Sequence, residues 1–274
     1  MPASSASTAT DSYASGYRYD RFTFKLLTDD LRFHRGTLAP GAVLSVGEAE
    51  GADGSTVRLR GTGRPLLLVT GSMSCPMSAS SMPSVLDLHE EFAGQVDFVL
   101  LSAREAHPGE FLAQPASAAE ARDQARRLQE FYGVPFPVVV DDAEGTLHRL
   151  LDGKPNAAFL FDGDGILAFR SLWASDHGGL HAALASVARG TSPGASESKA
   201  MLAPMARALG FIDEVIDRAG PSARRDLWRS AFPMAIAAWM TKGVSFVHPA
   251  RRGATIAAVA LFGLAVTVLA VLAA

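Results

Sequence analysis

Cysteine is nearly absent from this 274-residue chain, where Cys75 is the only one. A single cysteine excludes an internal disulfide and a cysteine-rich zinc site, and it fits a reducing compartment. An excess of basic charge is also missing, since 25 lysines and arginines stand against 28 aspartates and glutamates. We therefore expect no nucleic-acid partner. The histidines show no metal-ligand spacing, so we predict no metal site.

The first residues lack the basic stretch and apolar run that mark a secretory signal. Residues 1–16 are rich in serine, threonine and alanine, which predicts a disordered leader. Near the other end, residues 253–274 contain no charged side chain. Roughly 22 residues at about 1.5 Å each cover about 33 Å, enough to cross a hydrocarbon core of about 30 Å. This stretch predicts a transmembrane anchor.

Basic residues come just before this anchor, at Lys242, Arg251 and Arg252. Because basic flanks stay on the cytoplasmic side, we expect a single-pass, tail-anchored protein whose preceding portion is cytoplasmic. Residues 189–252 are predicted to be a linker with one amphipathic helix over 199–218 and an interfacial helix over 230–241. A broken second membrane span over 230–241 is the alternative.

Residues 17–188 are predicted to form one α/β domain. The segment 17–33 is an edge strand or a packed arm, and residues 39–46 and 57–60 resemble a β-hairpin. Apolar runs predict strands at residues 65–70, 96–102, 134–141, 156–162 and 166–171. Helical patterns occupy residues 76–94, 117–132, 145–151 and 178–187. The order βαβ, insertion, ββα predicts a mixed sheet flanked by helices.

Cys75 lies in the short loop between the predicted strand 65–70 and the predicted helix 76–94. Unpaired backbone N–H groups and the helix dipole at such a junction favour thiolate over thiol, so we expect a reactive cysteine. The alternative is a small buried hydrophobic side chain. Met73 and Ser78 occupy the two positions where a partner thiol could stand. The site therefore needs an external thiol reductant and no bound cofactor.

The segment GSMSCPM at residues 71–77, followed by Glu105, Ala106 and His107, resembles the iodothyronine deiodinase family. That family belongs to the peroxiredoxin-like branch of the thioredoxin-like superfamily, and the resemblance covers about residues 65–171. It implies a thioredoxin-like fold, which agrees with the element order above. It also implies three catalytic residues: Cys75 as the reactive group, His107 as proton donor or as the group that lowers the thiol pKa, and Glu105 orienting the imidazole.

Four further residues are predicted to bind the substrate. Ser72 and Ser74 are placed to hydrogen-bond the thiolate, and Pro76 follows the reactive residue. Pro155 is the candidate for the cis-proline that thioredoxin-like proteins place beside their thiol. The substrate is expected to be a small molecule, and the oligomeric state is not predicted.

The predicted function is a thiol-dependent oxidoreductase similar to deiodinases, performing reductive dehalogenation or a related reduction. A one-cysteine peroxiredoxin-like peroxidase is the nearest alternative, although Ser72 and Leu68 replace the threonine and proline of that motif. A non-catalytic redoxin-like module that binds a membrane partner is the third possibility.

Overall fold

The computed structural model describes residues 16–273, and its centre is an eight-stranded mixed sheet. The strands are β1 (Glu48–Gly51), β2 (Thr56–Arg58), β3 (Leu66–Gly71), β4 (Asp97–Ser102), β5 (Val138–Val140), β6 (Ala158–Phe161), β7 (Leu167–Ser171) and β8 (Glu197–Ser198). Their order across the sheet is β2-β1-β5-β4-β3-β6-β7-β8.

Ten α-helices lie within the described residues. They are α1 (Phe24–Asp30), α2 (Pro76–Phe92), α3 (Ala118–Tyr132), α4 (Thr146–Leu150), α5 (His177–Ala188), α6 (Leu202–Leu209), α7 (Ile212–Ala219), α8 (Pro221–Ser230), α9 (Phe232–Met240) and α10 (Pro249–Ala273). A 3₁₀ turn at Thr241–Val244 follows α9.

The middle of the sheet has the predicted topology. Strand β3 pairs in parallel with β4, and β4 pairs in parallel with β5. On its other side β3 pairs antiparallel with β6, which pairs antiparallel with β7. A βαβ unit followed by a ββα unit around one central strand is the thioredoxin-like arrangement, and the predicted fold class is confirmed.

Strand β3 is buried along its whole length because apolar layers cover both faces of the sheet. Its side chains alternate between the layers, as the period of two requires. Leu67 and Val69 join the cluster under α2, α3 and α5, whereas Leu66 and Leu68 join the cluster under α4. This central strand therefore holds the loop after Gly71 on a rigid base.

The predicted hairpin is only partly correct. A hairpin is present, since β1 and β2 pair antiparallel across residues 52–55, and β2 overlaps the predicted second strand at residues 57–60. Its first strand was expected at residues 39–46, however, and that stretch contributes only an isolated bridge from Val43 to Ile166. Gly41 has a φ of 87°, which breaks an extended run, and Leu44 turns into the core.

The single helix predicted over residues 199–218 is two helices, α6 and α7. The break falls at Gly210, where a Cβ would lie 1.9 Å from the carbonyl oxygen of Pro249 at the start of α10. The interfacial helix predicted over residues 230–241 is a helix, α9, and an unpredicted helix, α8, precedes it. Side chains from α7, α8 and α9 join the apolar cluster under α2.

Helix α10 contains the predicted anchor. Residues 249–268 are long and apolar enough to cross a membrane, the one such stretch found within the described residues. The side chains of Leu261, Phe262 and Val266 are exposed along it. The predicted leader, residues 1–16, lies outside the described residues apart from residue 16, and the predicted boundaries at residues 189 and 253 stay predictions.

Candidate active site

Cys75 is the N-cap residue of α2, reached from the end of β3 by the short loop of residues 72–74. Pro76 occupies the first turn of the helix, where its missing N–H costs no hydrogen bond. The junction predicted for the cysteine is therefore present, and Pro76 lies directly beside the thiol.

The expected thiolate is not what this site favours. Cys75 is only 2% exposed, and burial raises the pKa of its thiol to about 11. The nearby N–H groups of Met77 and Ser78 lower that pKa, as the helix start should, but desolvation outweighs them. The resting group is a neutral thiol, so its proton must leave during any reaction at sulfur.

Glu105 joins the two loops at the carboxyl ends of β3 and β4. Its Oε2 accepts a hydrogen bond from the Ser74 N–H at 2.7 Å and another from the Ser74 hydroxyl. Its Oε1 accepts one from the Gln124 amide on α3. Burial raises the pKa of Glu105, while these donors oppose that rise. The Glu105 carboxyl thus fixes the loop of residues 72–74, which leads to Cys75, relative to α3.

His107 is held by its backbone, whose N–H donates to Ser74 Oγ at 3.0 Å. Its ring lies against Phe22 with centroids 4.1 Å apart, and Nδ1 is buried without a hydrogen-bond partner among the described residues. Burial lowers the pKa of the imidazole to about 4, so the ring is neutral at pH 7. A neutral imidazole is a poor proton donor, unlike the donor predicted from the sequence.

Glu105 does not orient the imidazole as predicted, because its oxygens are bonded to Ser74 and Gln124. It positions the backbone of His107 indirectly, through Ser74. Phe22, from the N-terminal arm, orients the ring instead. The roles differ from the prediction because a carboxylate buried between two loops takes the nearest backbone and hydroxyl donors.

The two predicted serines bond to protein groups. Ser72 Oγ accepts from the Ala106 N–H at 3.3 Å, and the Ser72 N–H donates to Ser78 Oγ at 3.2 Å. Ser78 in turn donates to the Pro155 carbonyl at 3.4 Å. Ser72, Ser74 and Ser78 therefore fix the loops around the thiol, and their predicted part in substrate binding stays a prediction.

Pro155 lies beside the thiol as predicted, but it is not a cis-proline, since the described residues contain no cis peptide bond. The carbonyl of Lys154, which precedes it, accepts hydrogen bonds from the Thr70 hydroxyl at 2.8 Å and from His148 Nε2 at 2.7 Å. These two donors fix the position of the Lys154 carbonyl beside the end of β3.

A cavity of about 80 Å³ connects these groups. Cys75, His107 and Asp30 are its titratable members. Its other walls come from the loops, the N-terminal arm and the C-terminal helices: Phe22, Leu27, Leu31, Pro76, Met77, Ala106, Pro155, Trp173, Met205, Ala208, Leu209, Ile212 and Met234. The site is thus an apolar chamber with a thiol at one wall.

Sequence reasoning missed two parts of this chamber. The first is the arm that contributes Phe22 and Asp30, which was assigned only to an edge strand or a packed arm. The second is the roof formed by α6, α7 and α9. The sequence did contain a signal for this roof, because the amphipathic pattern of residues 199–218 places Met205, Leu209 and Ile212 on one apolar face. In the structure these three residues line the cavity together with Cys75.

Comparison with known proteins agrees with these features. The family model of iodothyronine deiodinase matches residues 9–142, just under half of the chain, including Cys75, Glu105 and His107. No curated protein matches the chain significantly.

Among solved structures, an uncharacterized conserved protein from Geobacillus kaustophilus is 16% identical, with 60% of this chain and 89% of that chain covered and a TM-score of 0.49. A secreted disulfide oxidoreductase from Mycobacterium tuberculosis is 17% identical, with coverages of 44% and 78% and a TM-score of 0.34. The thioredoxin domain of a thiol-disulfide oxidoreductase from Bacteroides vulgatus is 15% identical, with coverages of 48% and 86% and a TM-score of 0.37.

The fold assignment rests on the strand order, and the family assignment on the matched segment. The match ends before Pro155 and before the helices that roof the cavity. Residues 9–142 are an iodothyronine deiodinase-like segment of a thioredoxin-like fold.

Proposed function

We propose that this protein is a thiol-dependent oxidoreductase that removes a halogen from a small apolar molecule through Cys75. The observation that supports this proposal most is the mostly apolar cavity whose lining contains both the only thiol of the chain and His107. An apolar lining favours uncharged substrates, and the burial of Cys75 limits the access of water to its sulfur. The deiodinase-like segment that carries both residues supports the same class of reaction.

The reaction balances with the groups of the chain and an external thiol. The sulfur attacks the halogen of R–X, the carbon–halogen bond breaks, and the carbon takes the proton, which leaves R–H and a sulfenyl halide on Cys75. Sulfur is oxidised by two electrons and carbon is reduced by two. One external thiol then displaces HX to form a mixed disulfide, and a second releases the Cys75 thiol and the external disulfide.

His107 fits this reaction as a neutral hydrogen-bonding group at the cavity wall. Its partnerless Nδ1 can bond to a polar atom of the bound substrate, which would satisfy a buried group that is otherwise unpaired. Glu105, Ser72 and Ser74 support the reaction by holding the two loops, and Pro76 and Pro155 shape the wall beside the sulfur.

One observation favours a second candidate, the non-catalytic redoxin-like module. The neutral, buried thiol of Cys75 is what a structural cysteine shows. The same burial argues against a peroxiredoxin-like peroxidase, which needs a thiolate ready to attack peroxide. A measurement of turnover separates these functions.

The test is halide release from an ortho-iodinated phenol with dithiothreitol as reductant. Replacing Cys75→Ser should reduce release at least about 1000-fold, because the hydroxyl is a far weaker nucleophile than sulfur. Ser192→Ala, an exposed position distant in sequence from the site, serves as the control and should keep the wild-type rate. Halide release by the serine variant would refute the role of Cys75. A folded wild type that releases no halide and reduces no peroxide would favour the non-catalytic module.

We further propose that α10 anchors the protein in a membrane, with the preceding domain on the cytoplasmic side. Phe232, Trp239 and Met240 are exposed on α9, and aromatic side chains of this kind prefer the membrane interface. The basic residues Lys242 and Arg251 lie between that helix and the apolar stretch.

Two lysines placed on the apolar helix test the anchor in the full chain. Leu261→Lys with Val266→Lys should move the protein from floated vesicles to the soluble fraction, since each charge costs about 3 kcal/mol at the centre of a membrane helix. Leu261→Ile with Val266→Leu is the matched control and should still float. Unchanged flotation of the lysine variant would contradict the proposal.

A further inference from the structure

Asp30 is the one carboxylate that lines the cavity of Cys75 among the described residues. It is the last residue of α1, whose start is capped by the Thr23 hydroxyl. Its neighbour Asp29 is not among the residues that line the cavity, and its Oδ2 lies 2.5 Å from Lys25 Nζ. The Asp30 carboxylate itself forms no hydrogen bond or ion pair within residues 16–273. A half-buried carboxylate without a partner, at the wall of an apolar chamber, is costly to keep unless it serves the chamber.

The proposed reaction leaves one requirement unmet, a group that moves the proton. The thiol of Cys75 is neutral and must lose its proton as sulfur attacks, and the substrate carbon must gain one. The imidazole of His107 is neutral and holds a proton too weakly in its buried position to relay it. Glu105 does not line the cavity, and its oxygens are occupied by Ser74 and Gln124.

We infer that Asp30 is the general base and acid of the site, accepting the proton of the Cys75 thiol as sulfur attacks and returning it to the substrate carbon. This inference rests on the proposed dehalogenation. The proton that leaves sulfur is the proton that reaches carbon, so R–X and the thiol give R–H and the sulfenyl halide with no other donor. The substrate is then a halogenated molecule that fits with its leaving halogen at Cys75 and its carbon toward Asp30.

The electrostatic surroundings of Asp30 suit this exchange. Burial raises the pKa of Asp30 to about 7, and Asp29 and Asp152 add to the rise. Lys154 and Arg104 oppose it. The charge of Asp30 in turn raises the pKa of the Cys75 thiol and of the Tyr19 phenol, and His107 lines the same cavity. A carboxyl that is half protonated near neutral pH can serve as base and as acid in one cycle.

Asp30→Asn in the full chain tests the inference with two measurements. Halide release should fall about 100-fold, the size usual for a lost general acid–base, and its dependence on pH near 7 should disappear. Alkylation of Cys75 should move the other way, with its midpoint at a lower pH than in the wild type, because a negative charge beside the thiol is gone. Because opening of the cavity would also lower the pKa of the Cys75 thiol by relieving its desolvation, a variant that keeps the carboxylate is needed to separate the role of Asp30 from a structural defect.

Asp20→Asn is the matched control, since Asp20 is an exposed carboxylate of the same arm and should leave both measurements unchanged. Asp30→Glu should recover part of the turnover and its pH dependence. If Cys75→Ser abolishes halide release and Asp30→Asn keeps the wild-type rate and pH profile, the role of Asp30 is wrong and the proposed function stands. If the wild type releases no halide, an alkylation midpoint that is unchanged in Asp30→Asn still overturns the inference.

Discussion

Two regions of this molecule hold titratable groups that are buried or half-buried, and the regions differ in whether those groups are hydrogen-bonded to one another. In the first, His148 accepts from the Tyr17 hydroxyl through Nδ1 and donates to the Lys154 carbonyl through Nε2, both at 2.7 Å. Lys154 lies 3.3 Å from the Asp152 carboxylate and donates to the Asp29 carbonyl at 2.8 Å. In the second, around the cavity, His107 Nδ1 is buried without a hydrogen-bond partner, and the half-buried Asp30 carboxylate forms no hydrogen bond among the described residues.

The difference shows what each region does. The paired network ties the N-terminal arm to the segment that precedes β6, and satisfied buried polar groups rigidify a structure. Desolvation shifts the pKa values of the groups in both regions away from their charged forms, but only in the network do hydrogen bonds between the groups offset the cost of burial. We therefore expect mutations in the network to affect folding, and mutations around the cavity to affect chemistry.

The largest expected effect is on the network. His148→Ala leaves the Tyr17 hydroxyl and the Lys154 carbonyl without partners and opens a void where a fully buried ring stood. Each orphaned group costs about 1–3 kcal/mol, so the free energy of unfolding should fall by about 4 kcal/mol. Urea unfolding measures this loss, with His181→Ala as control, because the ring of His181 is partly exposed and pairs with the exposed Glu91. Halide release per folded molecule should not change. A large loss of turnover would mean that the network around His148 also takes part in the chemistry, and that the two regions are not separate.

His107→Gln should show the reverse pattern. Halide release should fall about tenfold at pH 7, the rate equivalent of one hydrogen bond to the substrate. Because the folded-state pKa of His107 is depressed to about 4, the wild type loses stability as pH falls from about 6.5 to about 4. Glutamine does not titrate, so the glutamine variant should not lose this free energy of unfolding. At the acid end of the range it should gain up to about 3 kcal/mol over the wild type. A difference that does not change with pH would mean that His107 titrates normally.

The smallest effect is expected at the boundary of the two regions. Phe22→Leu keeps an apolar side chain and removes only the aromatic contact that orients the His107 ring. We expect a loss of about 1 kcal/mol in stability and about threefold in halide release. Phe111→Leu, at an exposed position, is the control. A loss of turnover as large as that of His107→Gln would show that Phe22 contacts the substrate itself.

Much of the fold follows from local patterns. The buried strands β3 and β4 lie where the apolar runs placed them, and the helix predicted over residues 117–132 is α3, with Ser117 as its cap. Strands β6 and β7 lie within the predicted strands 156–162 and 166–171, and the turn between them contains Gly165 with a φ of 78°. Periodicity and turn chemistry are local properties, so a sequence expresses them directly.

The candidate site depends on what covers it, which local patterns do not express. The approach of Cys75 to His107 could be predicted, because both follow neighbouring parallel strands. The raised pKa of Cys75 could not, because it comes from burial under helices more than 120 residues later in the chain. Asp30 gave no signal, since one carboxylate among the mixed charges of residues 17–33 is not distinguishable until the arm is folded onto the sheet.

The contact between α6 and α10 couples the cavity to the apolar helix. The two helices touch through glycines, and a Cβ at Gly253 would lie 2.0 Å from the Ala206 carbonyl oxygen. Helix α6 also supplies Met205 and Ala208 to the cavity roof. Because no side chain separates the two backbones here, a change in the tilt of α10 would have to displace α6 as well. Such a displacement would reach the cavity through Met205 and Ala208.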